Sequence, residues 1–364
     1  MDSRQGAALF PVSSLMFVAF AISSVHCLPS GLRLIGLAGC LALLSACANA
    51  PGGAVLPSAT GNPDVSAISS DPTLTVVTTR NPVRNARASP WFGSERASAS
   101  QARVRLSSPQ ENAFAPVGLG DWRIASVEAI PVGTGLARGA DRKDVLIYVH
   151  GFNQTFETAA LDAARLSDGI RFRGETMLFS WPSRARLSEY IYDRESALYS
   201  RDAFESMLDH LIADPQVGRI NIVAHSMGTM LTVEVLRQLY DRRGRAVVDN
   251  LGAVVLAAPD IDMDSFAASV NRIGPLTSKI SVLVAANDRA LDVMKRLAGG
   301  VTRVGTAEAE KIQALGLRVI DASQVAVGGI NHDLFLSNAK VRQEVRRALD
   351  EAAGPAFAGA QPVN

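Results

Sequence analysis

From Val145 onward the chain carries short apolar runs with almost no polar interruption, at Val145–Val149, Met177–Trp181, Ile220–Ala224, Ala253–Ala257, Ile280–Ala285 and Leu317–Ile320. A strand with one wet face alternates apolar and polar residues. Runs without alternation therefore read as strands covered on both faces, as in a parallel sheet. Leu74–Thr78 and Val104–Leu106 add two shorter runs upstream, for eight expected strands. Helical patterns lie between them: Phe204, Met207, Leu208, Leu211 and Ile212 fall at i, i+3, i+4, i+7 and i+8, and Val341, Val345, Ala348 and Leu349 repeat the spacing. Strand and helix alternating in one block predict an α/β fold: a mostly parallel eight-stranded sheet, helices on both faces, ligands at the carboxyl ends of the strands. A chain of 364 residues, 48% hydrophobic, can bury such a core. With 36 Lys and Arg against 35 Asp and Glu, the net charge of +1 lacks the footprint of a nucleic-acid binder, and no nucleic-acid partner is expected.

One of these strands runs directly into a serine. The run ending at Ala224 is followed by His225, Ser226, Met227 and Gly228, and then by an amphipathic helix. Strand, serine, glycine and helix in that order are the context of a nucleophile elbow, a sharp turn that projects Oγ above the sheet at a helix N-terminus. The turn packs against neighbouring backbone, so the positions two before and two after the serine must be small. Ala224 stands where the G-x-S-x-G pattern has its first glycine, and alanine is still small enough. Ser-x-Gly alone is common, so the weight falls on what surrounds it.

The chain has five histidines, and elimination narrows them. His26 lies in the apolar N-terminus, and His210 sits off the apolar stripe of its helix. His225 is turned away from the serine by strand alternation. His150 ends the Val145–Val149 strand, ahead of Gly151, Phe152 and Asn153. His332 remains, on a glycine-containing loop after the last expected strand, where a catalytic base belongs. The acid should follow a strand between serine and histidine. Asp288 follows the penultimate strand and is preferred; Asp260, one strand earlier beside Pro259, is the alternative, with a turn or N-cap role as its plainer reading. The order Ser226, Asp288, His332 is that of α/β hydrolases. An oxyanion hole should use two backbone N–H groups, that of Met227 after the nucleophile and that of Phe152 in the loop after His150. The chain lacks H-E-x-x-H and any usable cysteine–histidine cluster, so no metal or cofactor is expected.

The N-terminus reads differently. Two apolar blocks, residues 7–28 and 34–46, are separated by Pro29–Arg33. Arg33, thirteen mostly apolar residues and then Leu44, Ser45, Ala46 and Cys47 have the layout of a secretory signal. The tetrad resembles the lipobox of bacterial lipoproteins, in which the cysteine thiol receives a diacylglycerol and becomes the new N-terminus. Leu37–Cys40 also fits, but it lies only seven residues past Arg33, too close for a full apolar region. The alternative is one or two membrane-anchoring helices over residues 7–46. The first block reads as sequence ahead of the true translation start. The expected organisation is a lipoprotein-type leader over 1–47, a flexible Ala/Pro/Gly/Ser linker over 48–72, a catalytic domain over 73–352 and a disordered tail over 353–364. Such a chain would hang from a bacterial envelope membrane, facing the periplasm. Ala48 after Cys47 points, by resemblance to enterobacterial sorting, to the outer membrane.

Taken together, Val145–Asn153, Leu178–Ser183, Ala224–Thr229, Leu256–Asp262 and Asn287–Leu291 resemble the bacterial α/β hydrolases grouped as domain of unknown function 900. Val77–Asn81 and Trp91–Arg96 look like that family's N-terminal signature, and the resemblance covers about residues 74–350. It implies the α/β-hydrolase fold and a Ser-His-Asp triad; the triad leads us to expect attack on an ester-type acyl bond of a small-molecule or lipid substrate. It implies no particular substrate. Trp181, Tyr190, Tyr192 and Tyr199 either wall an acyl pocket or pack a loop on the sheet. Arg80, Arg84, Arg87 and Arg96 either meet anionic groups or are merely solvated. The rival class is a non-catalytic module that keeps the fold as a binding or assembly platform. For the leader, mass spectrometry of the membrane fraction should find a mature, lipid-modified chain starting at Cys47; a mature chain starting upstream of Cys40 rules the lipoprotein reading out.

Overall fold

The computed structural model describes residues 72–84, 87–107, 122–133, 142–297, 299–325 and 329–352, all within Ser69–Asn364. The expected leader with Cys47, the linker up to residue 71 and the tail from 353 lie outside the described residues. No helix among the described residues is long and apolar enough to cross a membrane.

The strands are β1 (Thr73–Pro82), β2 (Phe92–Ser107), β3 (Arg123–Ile130), β4 (Lys143–Val149), β5 (Glu175–Ser180), β6 (Val217–His225), β7 (Leu251–Ala257), β8 (Ile280–Val284) and β9 (Arg318–Asp321). They form one nine-stranded sheet in the order β3-β2-β1-β5-β4-β6-β7-β8-β9. From β1 across to β9 every neighbouring pair is parallel, while β1–β2 and β2–β3 are antiparallel. All eight sequence-expected runs fall on strands of this sheet; the ninth, β3, was not expected. It is an edge strand bonded only to β2, and none of its residues is buried, so it has no apolar run to read. β2 is also far longer than Val104–Leu106, because its first half is polar and partly exposed, and it pairs antiparallel with β1 without an apolar run to mark it.

The helices are α1 (Phe156–Gly169), α2 (Tyr190–Tyr199), α3 (Arg201–Ala213), α4 (Met227–Arg243), α5 (Arg245–Asn250), α6 (Met263–Ile273), α7 (Arg289–Leu297), α8 (Ala309–Gln313), α9 (Leu334–Ser337) and α10 (Ala339–Ala352). They cover both faces of the sheet. Val145, Ile147 and Val149 of β4 join Ile222, Val254 and Leu256 under α3, α4 and α6. Leu146 and Tyr148 of the same strand point the other way, to Val223 and Val255 under α1 and α10. Alternate residues thus serve two cores, which is why the runs are continuous rather than alternating. Local signals agree with the boundaries: Thr155 caps α1 in a reciprocal capping box with Thr158, and Asp262 caps α6 through Ser265 N.

Ile147 is fully buried in the centre of the sheet, whereas Glu128 lies exposed on β3. Ile147→Ala should cost about 2–5 kcal/mol of unfolding free energy. Glu128→Ala should stay within about 0.5 kcal/mol of wild type. Urea unfolding of the two variants checks both values.

Candidate active site

Ser226 lies between β6 and α4 at φ 50°, ψ −119°, a left-handed conformation that a non-glycine residue holds only when its neighbours over-determine it. They do. Its N–H donates to Ala257 O (2.9 Å), and its carbonyl accepts from Thr229 N (3.0 Å) and Asp260 N (3.3 Å). Gly228 is fixed by close approach: a Cβ there would stand 2.3 Å from His150 O and 2.8 Å from Val149 O. A Cβ on Gly151 would stand 3.0 Å from the Ser226 Cβ, so the loop after β4 runs directly against the serine. Of the six non-glycine residues with positive φ among the described residues, Asn153, Ser226, Ala258 and Asn331 cluster here, after β4, β6 and β7 and just before His332. Backbone strain of this kind collects at functional sites.

His332, on the loop after β9, places Nδ1 2.7 Å from Asp288 Oδ2, on the loop after β8. Asp288 is fully buried, and its Oδ1 accepts from Leu291 N at 3.0 Å. Burial works against a charged His332 ring, and the Asp288 carboxylate opposes it through charge and hydrogen bond. With Asp260 and Asp333 adding to this, the imidazole sits above its ordinary pKa of 6.5. The sequence alternative, Asp260, is engaged elsewhere. Tyr190 Oη donates to its Oδ2 (2.8 Å), and Arg303 Nε lies 3.1 Å from its Oδ1, an ion pair by distance without hydrogen-bond alignment.

His225 packs its ring on His332. Its Nε2–H donates to His332 O (3.0 Å), and the ring centroids are 4.6 Å apart. Burial first, and the neighbouring His332 next, keep it well below the usual imidazole range, so it is neutral. The Met227 and Phe152 N–H groups make no hydrogen bond among the described residues, the condition an oxyanion donor must meet. His210 is exposed on α3 and takes no part.

The aromatic residues divide. Trp181 is fully buried, stacks on His150 at 4.6 Å and donates Nε1–H to His150 O, so it packs the sheet rather than lining a pocket. Tyr190 stands edge-on to Phe152 (5.4 Å between centroids). Tyr192 and Tyr199 tie α2 to β2 through Ser94 O and Ala97 O. Arg84 and Arg87 are exposed, while Arg96 lies over the Tyr192 ring at 5.0 Å. Arg80 corrects the expectation. It is neither solvated nor open to an anionic ligand, being 1% exposed, with its guanidinium donating to Gln154 O, two residues from Phe152. A buried arginine in a polar strand has no sequence signature distinguishing it from a solvated one. A cavity of about 410 Å³ lined by Leu74, Trp122, Phe172 and Arg173 opens at the amino ends of β1 and β5, the edge of the sheet opposite to Ser226. Among the described residues no group of three or more His, Cys, Asp or Glu side chains is placed to hold a metal ion.

A parallel sheet flanked by helices, with a strained serine at the carboxyl end of a central strand, defines an α/β hydrolase. The chain belongs to the family described as alpha/beta hydrolase of unknown function (DUF900), whose model matches residues 134–348. The Val77–Asn81 and Trp91–Arg96 motifs lie upstream of the matched residues. An uncharacterized protein of Nostoc sp. strain PCC 7120, alr1448, is 24% identical over 125 residues, 28% of this chain and 33% of that protein; the match thus spans about a third of its length. The fold is similar to Est1E from Butyrivibrio proteoclasticus, with 10% identity, 70% of this chain and 96% of that one covered, and a TM-score of 0.40. It is also similar to Thermogutta terrifontis esterase 2, with 13% identity, 76% and 92% covered, and a TM-score of 0.36.

The charge balance at His332 is open to measurement. By NMR its ring should titrate above 6.5 in the wild type. In Asp288→Asn, where burial acts without the carboxylate, the midpoint should fall below that of the wild type. A group raised in the folded state stabilises it fully below the ordinary imidazole pKa and loses that contribution as pH rises through the raised value. The stability gap between wild type and Asp288→Asn should therefore narrow from acid toward alkaline pH.

Proposed function

We propose that the protein is a serine hydrolase that cleaves a carboxylic ester or related acyl bond through Ser226, His332 and Asp288. The observation that carries this reading is the 2.7 Å contact between His332 Nδ1 and the buried Asp288 carboxylate, on two loops that share the sheet edge with the strained Ser226. Asp288 holds the proton on Nδ1 and leaves Nε2 free to act as a base. As Ser226 Oγ attacks the substrate carbonyl carbon, its proton passes to His332 Nε2, and the new oxyanion is met by the Met227 and Phe152 N–H groups. Collapse breaks the bond to the leaving alcohol, which takes the proton from Nε2, and an acyl-serine remains. Water, deprotonated by the same nitrogen, then attacks the acyl carbon and returns the proton to Oγ as the acid leaves. The chemistry needs no cofactor.

The substrate class follows only in outline. Phe152, in the loop that runs against Ser226, meets Tyr190 edge to face, an aromatic pair that suits an apolar acyl or alkyl group. A lipid anchor at Cys47 would hold the domain beside membrane-derived esters; that assignment stays a proposal of its own.

Turnover of short p-nitrophenyl esters should fall by about 10⁴-fold or more in Ser226→Ala. A fluorophosphonate probe should label the wild type and not the variant. Equal ester rates in the two proteins would overturn the reading and favour the platform alternative.

A further inference from the structure

Arg80 is a fully buried cation that the hydrolytic steps do not use. It belongs to β1, a strand separated from β6 by β5 and β4 and upstream of the matched family segment. Its guanidinium is spread over three separate pieces of chain. Nε donates to Ser180 Oγ (2.9 Å) at the end of β5, Nη1 to Ser183 O (3.1 Å) just beyond it and to Gly93 O (3.2 Å) on β2, and Nη2 to Gln154 O (2.8 Å) in the loop that carries Phe152. Nη2 also lies 3.5 Å from His150 Nε2. Burial lowers the guanidinium pKa to about 10 while Asp193 and Glu157 oppose the fall, and the group stays charged at neutral pH.

The same loop is gripped from its other side by an anion. Asp193 of α2, fully buried, accepts from Asn153 N (3.4 Å), Arg184 N (2.8 Å) and Ser183 Oγ (2.5 Å), and Ser183 Oγ in turn accepts from Gln154 N (3.1 Å). His150, at the start of the loop, is neutral: burial, then the Arg80 charge, lower it to about 3. It carries one proton between two carbonyls, Gly151 O at 2.8 Å and Trp181 O at 3.1 Å. Hydrogen bonds therefore reach the loop through the carbonyls of His150, Gly151 and Gln154 and the N–H groups of Asn153 and Gln154. Among the described residues the Phe152 N–H between them has no partner.

We propose that Arg80 is a positioning residue for the oxyanion loop: with Asp193 as its counter-charge, it holds residues 150–154 so that the Phe152 N–H stays aimed at the carbonyl oxygen of the substrate. This rests on the serine-hydrolase reading above. Two features separate the role from mere packing. Burying a full charge is costly, and apolar residues of similar size would stabilise a strand as well or better. A planar fork of donors, however, can tie several carbonyls together in fixed directions, and a lysine cannot. The loop also needs external restraint, because Asn153 is held at φ 62°.

The test uses Arg80→Lys, which keeps the charge and loses the fork, and Arg80→Ala with and without millimolar guanidinium. Each is checked by thermal unfolding, and each is measured beside wild type and Ser226→Ala. In folded Arg80→Lys, kcat on a p-nitrophenyl ester should fall at least about tenfold. KM should stay within about threefold, and the pH midpoint should be unchanged, since the Asp288–His332 pair is untouched. The loss in Arg80→Ala should approach the 10²–10³-fold typical of a removed oxyanion donor and be partly restored by guanidinium. Independently of turnover, hydrogen exchange over residues 151–155 should quicken at least about tenfold in Arg80→Lys while β4 and β6 stay protected. Wild-type kcat in Arg80→Lys, or unchanged exchange over 151–155, overturns the proposal. An inactive, unlabelled wild type whose loop still loosens in Arg80→Lys overturns the hydrolase reading instead and leaves Arg80 as the residue that holds the loop.

Discussion

Ser226 can hold φ 50° because strands on both sides of it supply the restraint. On one side β7 accepts its N–H through Ala257 O and returns the Asp260 N–H to its carbonyl. On the other the end of β4 lies so close that only glycine fits at 228. The turn costs about 1–3 kcal/mol in backbone strain. Three consecutive parallel strands, β4, β6 and β7, must end at the same edge for that strain to be held. The parallel register is thus what permits a serine in this conformation, and the cores above and below the sheet are what keep the register.

From this turn the remaining geometry follows outward. The loops after β8 and β9 are bonded to each other through Arg289 N and Ile330 O, 3.0 Å apart, which brings Asp288 and His332 together although 44 residues separate them. His225, the residue before the serine, donates to the carbonyl of His332, so the elbow and the histidine loop share a direct bond. The charges are sorted at the same time. His150 and His225 are kept neutral by burial, and only His332, with a carboxylate at its back, is raised. Of the three histidines at this edge, His332 is the one whose Nδ1 meets a carboxylate; that of His150 meets a carbonyl and that of His225 meets no partner among the described residues.

Much of this was legible in the sequence, and the reason lies in periodicity. Val145–Val149 and Ile220–Ala224 advertise two-sided burial by their lack of alternation, and a serine directly after such a strand, with glycine two residues on, has few structural meanings. The position of Asp288 after the next-to-last strand was legible for the same reason. What escaped has no apolar signature. β3 buries no residue and survives by backbone pairing to β2. Asp260 could be ranked below Asp288 but not assigned a partner, because Tyr190 and Arg303 reach it from segments 70 and 43 residues away along the chain, which no local pattern connects. Arg80 escaped most completely. Thr79 and Arg80 follow the Leu74–Thr78 run as polar residues with nothing to mark them as inside, yet Thr78, Thr79 and Arg80 are all buried, each bonded to a group that only the folded chain brings near.

That last point bears on how the fold is divided. The matched family segment begins at residue 134, so β1, β2 and β3 lie before it and could be taken as an edge added to a finished hydrolase sheet. Their contacts say otherwise. β1 is hydrogen-bonded in parallel to β5, which places Thr78 beside Ser180 and carries Arg80 over the end of that strand, within reach of Ser183 and Gln154. β2 supplies Gly93 O to the same guanidinium and Glu95 to Arg184, next to the Asp193 cluster. A sheet that started at β5 would leave the Gln154 carbonyl, the Ser183 carbonyl and a buried aspartate without their cation. Removing one partner of such a cluster is the costly case, because the charge left behind stays buried and unmatched. The antiparallel extension is therefore bonded into the loop facing Ser226, and the fold does not divide at the first residue of the family match.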